Sequence, residues 1–143
     1  MRVSEVMTRD VECTSPNATV QDAASKMKIL NVGPLPVKDK NKLVGIVTDR
    51  DISIRATAEG KSPADVHVRD IMTRKVIHCY EDALVEEAAR MMQDEQIRRL
   101  VVINHNKQLV GIVSLGDLAR KTGDEQLAGY TLEIVSDPNR AEQ

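Results

Sequence analysis

Thr48-x-x-Asp51 and Ser114-x-x-Asp117 each set a hydroxyl three residues ahead of a carboxylate. Each pair follows nearly the same apolar run, Leu43-Val44-Gly45-Ile46-Val47 and Leu109-Val110-Gly111-Ile112-Val113. One chemistry for this spacing is structural: it is close to a capping box, which satisfies unpaired amides where a helix starts. The other is recognition of a nucleotide. A helix start offers N–H groups and a positive dipole end to phosphate, and the hydroxyl adds a donor. An aspartate in the first turn can accept hydrogen bonds from both ribose hydroxyls, the part an acid plays in dinucleotide sites. Gly45 and Gly111 leave room where a ligand or another backbone comes close. Adenine then needs only apolar walls, which the valines and isoleucines supply.

The remaining reactive residues form no comparable set. Arg98-Arg99 is either a solvated pair at a helix–strand junction or a clamp whose guanidinium groups take phosphate bidentately. Gly33-Pro34 stands at the matching place in the first half, so such a clamp is one-sided. Cys13, His78 and Cys79 could in principle ligate a metal, but they lack C-x-x-C or H-x-x-H spacing, and the two cysteines are better read as packing as small hydrophobes. His67, His78 and His105 have no repeated partner, and Ser114 has no G-x-S-x-G context. Without a P-loop or a G-x-G-x-x-G after a strand, no catalytic set emerges.

The elements that position the doubled motif are themselves doubled. Val3, Val6, Met7, Thr8 and Val11 match Val68, Ile71, Met72, Thr73 and Val76; Val20, Ala23, Ala24 and Met27 match Val85, Ala88, Ala89 and Met92. The order predicted in each half is β-α-β-β-α. In the first half this means a strand Val11 to Thr14, a helix capped by Asn17 or Thr19, strands Leu35 to Lys38 and Leu43 to Val47, and a helix from about Asp49 to Thr57. In the second it means a strand Val76 to Cys79, a helix capped by Asp82, strands Leu100 to Asn104 and Gln108 to Val113, and a helix Leu115 to Lys121. Met27, Met91 and Met92 fall at helical spacing among alanines and belong to the core. A terminal helix is expected over Glu125 to Val135, with a frayed tail over Ser136 to Gln143. The expected divisions are a repeat over 1–62, a repeat over 63–123 and a C-terminal segment over 124–143. Each repeat is too short for a large core, so the two are expected to pack as one domain.

The 143-residue chain has a net charge of −2, no Phe or Trp, and Tyr80 and Tyr130 as its only aromatics. Its core must therefore be aliphatic, and neither charge nor aromatic–basic surface points to nucleic acid. No stretch has the length of a membrane span, and no signal-peptide apolar region opens the chain, so a cytoplasmic location is expected and no disulfide.

At these residues, over about 1 to 122, the chain resembles the CBS-domain pair, or Bateman module. The start Val-x-x-Val-Met-Thr, its second copy, the strand around Leu35-Pro36-Val37 and Gly-Ile-Val-Thr-x-x-Asp occur in order. The overall length looks like that of small stand-alone bacterial pairs. The resemblance implies an α/β (α+β) fold of tandem pseudo-symmetric repeats and a regulatory, non-enzymatic role. It implies adenosyl ligands (AMP, ADP, ATP, NAD or S-adenosylmethionine) in two clefts, no required cofactor, a homodimer and an unidentified protein partner. Thr48 and Asp51 would serve one cleft with Thr73, Val76 and Ile77; Ser114 and Asp117 would serve the other with Thr8, Val11 and Cys13. Ile46 and Ile112 would flank the adenines, and Arg98 would reach phosphates. Val101 stands where a proline is often found, and Leu115-Gly116 replaces Asp49-Arg50, so the two clefts are expected to be unequal. The alternative is a dimeric protein-interaction module with vestigial clefts.

Overall fold

The computed structural model describes residues 1–141, and the chain forms two compact units whose borders cut across the sequence repeats. One unit is continuous, Glu12–Val76; the other is discontinuous, Met1–Val11 with Ile77 onward. The divisions expected at 62 and 123 follow the sequence period. The units instead follow the cores, because each repeat's opening segment packs with the other repeat's strands.

In the continuous unit, α1 (Val20–Leu30) opens on Thr19, whose hydroxyl accepts from the Asp22 N–H at 3.1 Å, and closes on Asn31 in the left-handed conformation, φ 56°. The side chain of Asn tolerates that backbone better than most. Strands β1 (Leu35–Asp39) and β2 (Lys42–Val47) form an antiparallel hairpin around Lys40 and Asn41. Both turn residues have positive φ, 51° and 67°, as a tight primed turn requires. The helix expected over Asp49 to Thr57 is one α-turn, α2 (Asp49–Asp51), continued by a π-helical segment Ile52–Thr57. Its wider winding shows in the Ala58 N–H, which reaches the Ser53 carbonyl at 2.8 Å. A single turn, α3 (Val68–Ile71), completes the core of Val20, Ala23, Met27, Leu35, Val37, Val47, Ala56, Val68 and Ile71.

The discontinuous unit repeats this plan with a fuller sheet. A 3-10 turn at Val3–Glu5 supplies Val3 and, with the next residues, Val6 and Met7 to a core built from Val85, Ala88, Ala89, Met92, Leu100, Val102, Val113 and Leu118. β3 (His78–Tyr80) runs parallel to β4 (Arg99–Ile103), which pairs antiparallel with β5 (Leu109–Ser114). α4 (Val85–Glu95) packs on this sheet, followed by α5 (Leu115–Lys121), α6 (Glu125–Val135) and α7 (Pro138–Ala141). The frayed tail expected from Ser136 is therefore partly helical, and Glu142 and Gln143 lie outside the described residues.

Two local expectations need correction. The strand expected over Val11 to Thr14 contracts to a single bridge, Thr14 to Val37, whereas its counterpart β3 pairs over three residues. The Glu81 N–H extends the β3 pairing by donating to the Ile103 carbonyl at 3.1 Å; Pro16 occupies the matching place and has no N–H to give. Asp82 does not cap α4. The N-cap is Leu84, without a side-chain bond, and Asp82 instead meets His105 Nε2 at 2.9 Å. Hydrogen bonding from His105 holds the Asp82 carboxyl below its ordinary pKa.

Candidate functional site

Both hydroxyl–aspartate motifs fold into capping boxes. In the continuous unit, Thr48 Oγ1 accepts from the Asp51 N–H at 3.1 Å, and Asp51 Oδ2 accepts from the Thr48 N–H at 3.0 Å. In the discontinuous unit, Ser114 Oγ accepts from the Asp117 N–H at 3.0 Å, and Asp117 Oδ2 accepts from the Ser114 N–H at 2.9 Å. The structural and the ligand readings of the motif are compatible. A carboxylate has about four lone-pair sites, and a cap uses one oxygen, leaving Oδ1 to accept from something else.

Strand pairing brings a threonine to each helix start. Ile46 and Thr73 exchange N–H···O bonds at 2.9 and 2.8 Å, as Thr8 and Ile112 do at 2.8 and 2.9 Å. The glycines exist for this approach. A Cβ on Gly45 would stand 2.7 Å from Met72 Sδ, and one on Gly111 would stand 2.7 Å from the Thr8 carbonyl oxygen. The continuous unit thus unites Thr48, Asp51, Ile46 and Thr73, with Val76 in the same unit; the discontinuous one unites Ser114, Asp117, Ile112 and Thr8, with Val11. Ile77 and Cys13, each expected to complete a set, belong to the unit opposite their set.

Arg98 belongs to the unit of Ser114. Its carbonyl accepts from the Leu115 N–H at 2.8 Å, and its Nη2 donates to Ser136 Oγ at 3.3 Å. At its counterpart, Gly33, a Cβ would meet Asp49 Oδ1 at 3.1 Å, so a side chain there would crowd the α2 start.

The two carboxylates differ in their surroundings. The Asp117 side chain is 5% exposed and has two cations on Oδ1, Lys121 Nζ at 3.3 Å and Arg120 Nη2 at 3.5 Å. The Asp51 side chain is 12% exposed, and among the described residues its one ion pair is to Arg55 Nε at 3.9 Å. Leu115 is buried where Asp49 is exposed. Asp51 Oδ1 is the less encumbered of the two oxygens.

The basic residues on these carboxylates were not anticipated from the sequence. Arg55 and Lys121 stand seven residues after Thr48 and Ser114, so continuing the repeat to hydroxyl-x-x-Asp-x-x-x-basic would have found them. Arg55 Nη1 also donates to the Ile71 and Met72 carbonyls at 3.0 and 3.3 Å, and Lys121 Nζ to the Val6 carbonyl at 3.0 Å. Charged hydrogen bonds of this kind are worth about 1.5–3 kcal/mol, against under ~1 kcal/mol for an exposed ion pair, so the carbonyls dominate.

Cys79 is buried in the core and Cys13 only half-buried, and neither is disulfide-bonded. Among the described residues no group of three or more His, Cys, Asp or Glu is placed to hold a metal ion, and no helix is long and apolar enough to cross a membrane. A surface hollow of about 370 Å³ in the continuous unit is lined by Gln21, Ala24, Lys28 and Pro63 among others, and includes none of the expected site residues.

Comparison with known proteins gives this geometry a family. A CBS-domain family profile matches residues 3–55 and 68–124. The CBS domain-containing protein YhcV of Bacillus subtilis is 41% identical over 137 residues, 96% of each chain. Hypoxic response protein 1 of Mycobacterium tuberculosis is 30% identical over 133 residues, 92% of each chain. A crystal structure of Hypoxic Response Protein I, with two coordinated zinc ions, matches with a TM-score of 0.76 at 31% identity, over 85% of this chain and 98% of that one. The CBS domain pair of protein MJ0100, in complex with 5′-methylthioadenosine and S-adenosyl-L-methionine, matches with a TM-score of 0.72 at 31% identity, over 86% of this chain and 96% of that one. With two tandem repeats of mixed α/β fold, each carrying the capped aspartate, the chain belongs to the CBS-domain family.

Proposed function

We propose that this protein is a non-enzymatic sensor that binds an adenosyl compound at its hydroxyl–aspartate helix starts and passes the binding state to a partner. The observation that carries this reading is the Asp51 carboxylate. Its Oδ2 is fixed by its own helix cap, and among the described residues its Oδ1 is left with one cation at 3.9 Å. An oriented, pre-paid acceptor beside the apolar Ile46 and the Thr73 main chain suits a ribose diol joined to a flat base, because the cap spares the ligand the cost of ordering the carboxylate. That MJ0100 holds two adenosyl compounds supports the same class of ligand here. Thr48, Asp51, Ile46, Thr73 and Val76, all of the continuous unit, would form the stronger site. Ser114, Asp117, Ile112, Thr8 and Val11, all of the discontinuous unit, would form the weaker one, with Arg98 available to phosphate. No cofactor is required by this role. A homodimer in the cytoplasm is the form in which we expect it to act, and the response would rest on different ligand affinities of two states.

Isothermal calorimetry against S-adenosylmethionine, 5′-methylthioadenosine, AMP, ATP and NAD tests this. At least one is expected to bind saturably, with Asp51→Ala weakening it about tenfold or more, the scale of a lost charged hydrogen bond, and Asp117→Ala weakening it less. Absence of binding to all five would leave the protein-interaction module as the surviving function.

A further inference from the structure

The cation one turn beyond each capped aspartate ties that carboxylate to the chain's crossing segment. Arg55 spans from Asp51 Oδ1 to the Ile71 and Met72 carbonyls; Lys121 spans from Asp117 Oδ1 to the Val6 carbonyl. Val6 and Ile71 are equivalent positions of the repeat, as are Arg55 and Lys121. Just beyond these carbonyls stand Thr8 and Thr73, the residues that bridge to Ile112 and Ile46. Each unit therefore closes a ring: aspartate, cation, carbonyl, threonine, isoleucine of the strand, hydroxyl cap, and back to the aspartate.

The ring is exchanged between repeats. Arg55, from the first, holds the opening of the second; Lys121, from the second, holds the opening of the first. Past Thr73 the chain runs through Arg74, Lys75 and Val76 and leaves the continuous unit at Ile77; past Thr8 it runs through Arg9, Asp10 and Val11 and enters that unit at Glu12. A surface i,i+4 ion pair needs none of this. Two different side chains, a guanidinium and an ammonium, converge on equivalent carbonyls, and each does so from the residue paired with the capping carboxylate.

We propose that Arg55 and Lys121 are positioning residues that couple the charge of the Asp51 and Asp117 carboxylates, and so whatever those carboxylates bind, to the order of the segments by which the chain passes between its units. The ligand half of this rests on the function proposed above; the mechanical half does not. The carbonyls hold the cation most strongly and charge on the carboxylate adds to that hold, which fixes the Met–Thr main chain against the strand glycine. A ligand that draws on Oδ1 changes the share of the cation left for the carbonyls, and the change is felt at residues 73–76 or 8–11.

Amide hydrogen exchange on the full chain tests the coupling, read at Thr73 and Ile46 against Thr8 and Ile112. In ligand-free Arg55→Gln, exchange at Thr73 and Ile46 is expected to rise about tenfold with Thr8 and Ile112 unchanged, and Lys121→Gln is expected to do the reverse. Arg55→Lys, which installs the cation nature uses at the other ring, should restore native protection. Native rates in Arg55→Gln, or failure of Arg55→Lys to rescue, overturn the proposal. Should Arg55→Gln loosen the whole unit, Asp51→Asn decides: a double variant with Arg55→Gln no looser at Thr73 than either single one supports coupling, and additive loosening overturns it. With S-adenosylmethionine at saturation, protection over 73–76 should change in the native chain and not in Arg55→Gln; an equal change in both overturns the coupling. Failure of the native chain to bind S-adenosylmethionine bears on the proposed ligand alone, and the ligand-free rates still decide the ring.

Discussion

Gly111 and Gly45 occupy the same place in the repeat but do not have the same tolerance. A methyl group on Gly111 would lie 2.7 Å from the Thr8 carbonyl oxygen and 2.8 Å from Met7 Sδ; on Gly45 it would lie 2.7 Å from Met72 Sδ and 3.0 Å from the Thr73 carbonyl oxygen. A methionine side chain can swing away, whereas a main-chain oxygen moves only by breaking the bridge it belongs to. Gly111→Ala is therefore expected to cost about 1–3 kcal/mol and Gly45→Ala less, the range of overpacking in a closed core. Urea denaturation of the two variants would show it, and equal costs would mean that the methionines, not the carbonyls, set the limit. Cys79 carries a second prediction at this scale. Burial pushes its thiol up to about 11 from 9.0, with Glu87 adding to the rise. The folded chain then holds this proton more tightly than the unfolded chain does. Its contribution is whole below pH 9 and is lost as pH climbs toward 11, by up to about 3 kcal/mol. Stability measured at pH 8 and pH 10.5 should fall more for the native chain than for Cys79→Ala.

At the scale of elements, α1 and α4 show how a repeat keeps its shape while its local chemistry changes. Both end in a left-handed residue, Asn31 and Gln96, and each next N–H reaches back to a methionine carbonyl, Val32 to Met27 and Ile97 to Met92. Their starts differ. Thr19 caps α1, while Leu84 at the same place of α4 has no hydroxyl, and Glu86 and Glu87 in the first turn meet the dipole instead. Thr19→Ala is expected to lower stability by about 1 kcal/mol, the ordinary worth of such a cap, and Leu84→Ala to leave the α4 start uncapped as before. A thermal melt showing no loss in Thr19→Ala would mean that the Thr19–His67 bridge, not the hydroxyl, fixes that start. This is also where legibility in the sequence ends. Helix α5 and helix α6 match their expected bounds, and β2 and β5 lie within a residue or so of theirs, because apolar periodicity and the doubled LVGIV run specify them. The role of Asp82 is not legible, because an acid ahead of a helix suits a cap as well as a partner for a histidine distant in sequence. The Thr14 bridge fell short of a strand because Pro16 withholds one donor. Arg55 stayed hidden because a basic residue four after an acid on a helix reads as a solvated pair until the carbonyls it reaches are known.

At the scale of the whole molecule, the sequence repeats and the compact units disagree, and the disagreement is open to test. Periodicity identifies Val3, Val6 and Met7 as equivalents of Val68, Ile71 and Met72, but periodicity is silent on which core each set enters. In the structure Val3, Val6 and Met7 are 0%, 1% and 7% exposed within the core that holds Val85, Leu100 and Val113. Deleting residues 1–8 should therefore injure the part of the chain farthest from the cut in sequence. Three buried apolar side chains at about 1.5–3 kcal/mol each come to roughly 5 kcal/mol or more, comparable with the whole stability of a small domain. Lys121 would also lose the Val6 carbonyl, and β5 the Thr8 pairing. The continuous unit draws its own closing segment from Val68 to Thr73 and keeps every member of its core. In an amide NMR spectrum of the truncated chain, signals of Val20, Val37 and Val47 are expected to stay dispersed while those of Val85, Leu100 and Val113 collapse or exchange freely. The opposite pattern, with loss confined to the first repeat, would mean that each repeat folds on its own opening segment, and the exchanged rings of Arg55 and Lys121 would lose their structural basis with it.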